Sequence, residues 1–197
     1  SGGTAIAFTA DVRDPAACQA LVDKCVEEFG TVHVVVNSAG VNIPGVFHEV
    51  SDDVINRTLD VNLKGSMYTC RAAIPHMLKH GNGSLVNISS VNGIVSEPFL
   101  TVYSASKGGV AALTLPAARE FAQFGIRVMA IAPGIILTPM LLGLPEEVQQ
   151  SLGASVPFPK RLGRPAEFAA LVQHIVENSY LNGEVIRLDG ALRLPPR

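Results

Sequence analysis

The chain has no tryptophan, only three cysteines and few charges. Cys18, Cys25 and Cys70 cannot build a disulfide framework and suit a reducing compartment. The expected location is therefore the cytoplasm, with the mitochondrial matrix as the alternative. A cationic excess is missing too: 15 Lys and Arg stand against 17 Asp and Glu, a net charge of -2. Proteins that release counterions from a phosphate backbone need the opposite balance, so nucleic acid is not expected as a partner. Nor is there a long uninterrupted apolar run. The uncharged stretch from Val128 to Pro145 is broken by Pro133, Gly134, Pro139 and Gly143, and no membrane span is expected from it.

What is present is enough apolar material for a core. Hydrophobic residues make up 48% of 197, which excludes a disordered chain and suits one domain over residues 1–197. Short β-branched runs alternate with longer helical stretches, the pattern of an α/β protein with a parallel sheet. Strands are predicted at Thr4–Phe8, Val32–Val36, Leu85–Ile88, Ile126–Ile131 and Gly183–Leu188. The Val32–Val36 run is continuous, as in a strand buried on both faces. A helix is predicted after Asp14-Pro15, an N-cap followed by a proline in the first turn, and Gly30 ends it. Further helices are expected from Ser51 to about His80, from Val102 to Phe124 before Gly125, near Glu146–Leu152, and from Arg164-Pro165 to Glu177.

Polar and glycine-rich residues follow the strands. Asp11-Val12, Asn37-Ser38-Ala39-Gly40, Ser89-Ser90 and Pro133-Gly134 all stand where strands end, and ligands of open α/β sheets bind outside the carboxyl ends of strands. The strongest chemical signal is Tyr103-Ser104-Ala105-Ser106-Lys107 at the start of a helix. Tyr103 and Lys107 are one turn apart and share a face. An ammonium beside a phenol favours phenolate, so the pair reads as a general acid or base for an alcohol or ketone. Ser90, 13 residues before Tyr103, is placed to hydrogen-bond a substrate oxygen. Asn62 sets an amide into a mainly apolar helical run, where it reads as a holder of water against Lys107.

These residues together resemble the short-chain dehydrogenase/reductase family. Asn37-Ser38-Ala39-Gly40 is similar to its N-x-A-G segment, Asn62, Ser90, Tyr103 and Lys107 to its Asn-Ser-Tyr-Lys tetrad, and Pro133-Gly134 with Thr138 to its P-G-x-x-x-T. The resemblance implies a doubly wound parallel Rossmann-type sheet in three layers and a nicotinamide cofactor, NAD with NADP not excluded. It implies Tyr103 as acid/base, Lys107 on the nicotinamide ribose and lowering the Tyr103 pKa, Ser90 on the substrate oxygen, and Asn62 in a proton relay. Asp11 and Val12 would flank the adenine. Asn37, Ala39 and Gly40 would line the cofactor cleft beside Pro133 and Gly134, with Ile136 and Thr138 on the carboxamide side. Val156-Pro157-Phe158-Pro159, Arg161-Leu162-Gly163 and Leu181–Ala191 resemble the 3-hydroxyacyl-CoA dehydrogenase subgroup. An acyl-CoA-like substrate or another secondary alcohol follows, and a homodimer or homotetramer formed through the helix at Val102–Phe124.

One family element is missing. The T-G-x-x-x-G-I-G turn that seats a pyrophosphate on a helix N-terminus does not occur, and the first predicted strand corresponds to the third of the family's order. The expectation is that two strand–helix units precede Ser1 in the functional enzyme. A scaffold that has lost nucleotide binding is the alternative from another class. Other motifs are weaker. Ser104-Ala105-Ser106-Lys107 matches the S-x-x-K of β-lactamases without its partner motifs. His76 and His80 lack the Glu of a zinc helix, so no metal is expected. Cys18 and Cys25 are about 10 Å apart along a helix, too far to bridge.

Overall fold

A computed structural model describes residues 2–143 and 145–193. Four strands form one sheet, β1 (Val34–Asn37), β2 (Gly83–Ile88), β3 (Ile126–Pro133) and β4 (Val185–Leu188), in the order β1-β2-β3-β4. All three pairings are parallel, with Val35 beside Leu85, Leu85 beside Val128 and Ile131 beside Ile186. Parallel neighbours need crossovers, and helices supply them.

Helix α1 (Pro15–Phe29) starts where Asp14 accepts a hydrogen bond from the Ala16 amide at 2.8 Å, and stops at Gly30 in the left-handed conformation, φ 83. Ser51 caps α2 (Asp52–Leu59). A π-helical turn, Asp60–Lys64, links it to α3 (Gly65–His80), so the long predicted helix is one rod with a widened turn at Asn62. Helix α4 (Thr101–Phe121) runs into a short 3-10 turn before Gly125. Gly125 has φ 71, and a Cβ there would stand 2.3 Å from the Gly81 carbonyl oxygen, so only glycine fits this crossing of two connections. The segment after β3 contributes α5 (Pro139–Leu142), α6 (Glu146–Ser155) and α7 (Pro165–Glu177).

Side-chain alternation along the strands divides the core in two. Val35, Leu85, Ile126 and Val128 face α1, α3 and α4 through Val22, Ala73, Met77 and Ala118. Val86, Ile88, Met129 and Ile131 face α7 through Phe168, Leu171, Val172 and Ile175. Helix, sheet and helix make three layers, as expected of a Rossmann-type sheet.

Two expectations need correction. Thr4–Phe8 forms no strand, because no other strand lies beside it to complete a ladder; Ile6 and Phe8 are exposed. Strand β1 is buried on one face only. Val34 and Val36 remain 37% and 41% exposed, because α7 covers the sheet over β2 and β3 and nothing among the described residues covers β1 on that side.

Candidate active site

The carboxyl ends of β2 and β3 and the first turns of α4 converge on a cavity of about 560 Å³. Ser89 and Ser90 leave the end of β2. The Ser89 hydroxyl donates to the Lys107 carbonyl at 2.8 Å, and a Cβ on Gly93 would meet the Lys107 backbone at 2.7 Å. The loop after β2 is thereby pressed against α4. This contact fixes Ser90 relative to Tyr103 and Lys107, which sit one turn apart on α4. Ser90, Tyr103 and Lys107 all line the cavity, as do Gly40, Pro133, Gly134, Ile136 and Thr138.

The Ser90 hydroxyl accepts from the Asn92 amide at 3.1 Å and stands near enough to the Tyr103 phenol to favour its ionised form. Lys107 is 5% exposed, and its Nζ donates to the Ile88 carbonyl at 2.6 Å. Burial pulls the Lys107 ammonium down from 10.5 to about 8. For Tyr103 burial acts in the opposite sense and raises the phenol above its ordinary value, with the Ser90 hydroxyl working against it. The expected acidification of Tyr103 by Lys107 is not produced by these residues alone. The ammonium is directed at Ile88, and desolvation of the phenolate outweighs the Ser90 hydroxyl that favours it.

Asn62 stands behind this surface, fully buried. Its Oδ1 accepts from the Val41 amide at 2.8 Å, and its Nδ2 donates to the Val41 carbonyl at 2.9 Å and to Ser106 Oγ at 3.0 Å. Both amide protons are committed to protein, so the side chain pins the Gly40–Val41 backbone where a water-holding role was expected. Asn37, at the end of β1, donates to Asn87 Oδ1 at 2.9 Å and to the Cys70 sulfur at 3.2 Å. It braces β1 to β2 and does not line the cavity, and neither does Ala39. Asp11 and Val12 are also outside it. Asp11 is held by Arg13, whose guanidinium brings the carboxyl down to about 2, and Val12 packs on Gly65. Leu141, Leu152, Pro165 and Phe168 complete the cavity from α5, α6 and α7, with Asn92 and Glu97 from the loop before α4. The sequence reading missed these six: Leu141, Asn92 and Glu97 lie in irregular stretches, and Leu152, Pro165 and Phe168 lie in expected helices that nothing local directs toward the cavity.

A phenol beside a serine on one cavity wall, with an amine one turn behind it at the strand ends of a parallel sheet, is an arrangement for proton exchange with a small oxygen compound. Comparison with known proteins carries the identification. Residues 1–149 match the family model for short chain dehydrogenase. The chain belongs to the short-chain dehydrogenase family. It is 43% identical over 209 residues to 3-hydroxyacyl-CoA dehydrogenase type-2 of Homo sapiens, covering 99% of this chain and 79% of that protein. With glucose 1-dehydrogenase 2 of Bacillus subtilis it shares 39% over 201 residues, 100% of this chain and 78% of the relative. A 3-oxoacyl-acyl-carrier-protein reductase of Thermotoga maritima is 37% identical over 187 residues, 94% and 76% of the two chains. Among solved structures, that of ElxO with NADP bound superposes with a TM-score of 0.87 at 31% identity, covering 93% of this chain and 76% of that one. As a short-chain dehydrogenase the chain is an NAD(P)-dependent oxidoreductase.

The cavity suits a nicotinamide and its ribose. At Gly40 the space a Cβ would take lies 3.6 Å from Lys107 Nζ, so the missing side chain leaves the ammonium open to a ligand's hydroxyls. Ile136 and Thr138 supply an apolar wall and a hydroxyl at the other end.

Proposed function

We propose that this short-chain dehydrogenase interconverts a secondary alcohol and its ketone, with a 3-hydroxyacyl-CoA and its 3-oxoacyl counterpart as the substrate pair and NAD as the cofactor. The observation that carries the reading is that Ser90, Tyr103 and Lys107 line one cavity at the carboxyl ends of the strands. In this reading Tyr103 gives or takes the hydroxyl proton. Ser90 holds the substrate oxygen against the phenol, and Lys107 leaves the Ile88 carbonyl to hold the ribose hydroxyls. Gly40, Pro133, Gly134, Ile136 and Thr138 form the cradle of the nicotinamide half, and Asn62 keeps the Gly40–Val41 backbone in place behind it. Asp11, Val12 and Ala39 belong to the outer cofactor path, and Asn37 acts on it only by bracing β1 against β2. A bound nicotinamide would supply hydride transfer, and in its oxidised form a positive charge that would offset the burial that raises the Tyr103 phenol.

Two features favour the acyl thioester. Leu141, Leu152 and Phe168 offer an apolar wall to an acyl chain. The 3-hydroxyacyl-CoA dehydrogenases are similar over 99% of the chain, including the stretches after Val156. Reduction of 3-oxoacyl groups on a carrier protein, or oxidation of a sugar, is the second reading, favoured by the 37% and 39% identities already given. A turnover panel of acetoacetyl-CoA, a steroid ketone and glucose, each with the NAD and NADP forms, separates them. Turnover of acetoacetyl-CoA at least about tenfold above the others supports the proposal, and turnover of glucose alone defeats it.

The assembly is proposed as a homodimer or homotetramer. Met67, Ile74, Leu113 and Phe121 line an apolar groove between α3 and α4, a surface suited to a second copy. No described helix is long and apolar enough to cross a membrane. Three free cysteines support a reducing compartment, the cytoplasm or the mitochondrial matrix.

A further inference from the structure

The cavity holds two charged side chains, Lys107 and Glu97, among its lining residues. Lys107 is buried and hydrogen-bonded to Ile88. Glu97 is different. It belongs to the loop between Ser90 and Tyr103 and is half-buried, and among the described residues no cation or donor reaches its carboxylate. Only its backbone carbonyl is engaged, by the Ser96 hydroxyl. Near it on the same loop Asn92 lines the cavity with a buried amide oxygen that also lacks a donor. The loop wall thus offers acceptors and one uncompensated negative charge, while Leu141, Leu152, Pro165 and Phe168 offer apolar surface.

From this juxtaposition we infer that Glu97 is a specificity-determining residue: it admits the 3-oxoacyl group only in neutral, esterified form and excludes the free 3-oxo acid. The inference rests on the function proposed above and extends it to the state of the acyl carboxyl. A free acid carries its carboxylate two carbons from the reacting carbonyl, and so brings it into the same cavity as Glu97. A 560 Å³ cavity is about 10 Å across, and like charges within that distance at an effective dielectric near 20 weaken binding roughly tenfold or more. A thioester or ester presents no charge there. A cation on the acyl side of the wall would have produced the opposite choice; among the described residues the one cation lining the cavity is Lys107, which is held by the Ile88 carbonyl in the free protein and is assigned to the ribose in the proposed complex.

The test compares ethyl acetoacetate with acetoacetate, two compounds with the same 3-oxobutanoyl group that differ in charge. For the unaltered chain kcat/KM is expected to favour the ester by about tenfold or more. Glu97→Gln should raise the value for the acid at least about tenfold while moving the ester less than about threefold, and Glu97→Lys should favour the acid. Raising the salt should narrow the ratio in the unaltered chain and leave it unchanged in Glu97→Gln. Both compounds are also titrated as competitive inhibitors of whichever ketone the substrate panel shows to be reduced. The Ki ratio then reports on Glu97 even when acetoacetyl-CoA is not turned over, which would sink the acyl-CoA reading by itself. Equal use or equal inhibition by acid and ester in the unaltered chain overturns the role of Glu97. So does a ratio that Glu97→Gln leaves in place.

Discussion

Tyr103 and Lys107 show how much a constellation differs from its members. Side by side on a helix in water, an amine would acidify a phenol; in this fold both groups are buried and each is pushed toward its neutral form. Replacing the phenol by Tyr103→Phe should lower kcat by about 10²–10⁴ while thermal melting and dinucleotide affinity stay near those of the unaltered chain. Retained turnover in that variant would refute the proposed acid/base. Lys107 also ties stability to pH. Its folded value of about 8 lies below the ordinary 10.5, so both states keep the proton below pH ~8 and the fold bears the full cost of a buried cation. Between those values the folded chain has released the proton and the unfolded chain still holds it, so stability rises with pH. The Tyr103 phenol acts in reverse, but only above about pH 10, where the unfolded phenol ionises first. Urea unfolding of the cofactor-free protein should therefore gain about 2 kcal/mol between pH ~8 and ~9.5 relative to Lys107→Met. Parallel pH curves for the two proteins would show that Lys107 is not buried as a cation.

At the scale of elements, what the chain reveals in advance is what its local chemistry decides. Asp14-Pro15 and Gly30 bound α1 because caps depend on a few neighbouring residues. The runs at Leu85–Ile88 and Ile126–Ile131 stood out as strands because they are buried on both faces. Thr4–Phe8 has the same composition and no ladder, since a strand exists only with a partner, and partners are set by topology. Val32–Val36 misled in a related way, because a valine run does not say whether a helix covers it. The site divides along the same line. Strand ends and one helical turn brought Ser90, Tyr103, Lys107, Gly40 and Pro133-Gly134 into view. The bonds from Asn62 to Val41 cross 21 residues of chain, and α6 and α7, though expected as helices, are brought to the cavity by an irregular segment, so neither contact leaves a local trace. Arg127 is a further long-range element device. Its guanidinium donates to the carbonyls of Ile175, Val176, Asn178 and Leu181, closing the C-terminal end of α7 and the turn into β4. With no carboxylate beside it among the described residues, burial lowers its pKa, and its worth lies in the carbonyls of Ile175, Val176 and Leu181, since that of Asn178 also accepts from the Leu181 amide. Arg127→Met should cost about 2–4 kcal/mol in urea unfolding, and Arg127→Lys should recover only part because an ammonium cannot span the fan of carbonyls. A neutral Arg127→Met would mean that water satisfies those carbonyls equally well.

On the scale of the whole molecule, the site and the proposed subunit contact share one helix. Tyr103 and Lys107 occupy the first turns of α4, whereas Leu113, Ala117 and Phe121 farther along it face the groove toward α3. Phe121 and Ala117 also pack on the core cluster behind β2 and β3, so a partner seated in the groove would press on the layer that holds the sheet. Leu113 is only half-buried, and Met67 across the groove is 45% exposed, which leaves apolar surface available for burial by another copy. Because Lys107 points away from this groove, at the Ile88 carbonyl, a charge placed at Leu113 should separate subunits without contacting the reacting groups. Leu113→Glu is therefore expected to shift sedimentation from an oligomer to a monomer. Each carboxylate would be trapped in an apolar contact unless the copies part, a cost of several kcal/mol. The variant should also melt lower than the unaltered chain, by an amount that grows with protein concentration, because only the unaltered chain gains stability from association. Sedimentation unchanged by Leu113→Glu would move the subunit contact to another face of the molecule.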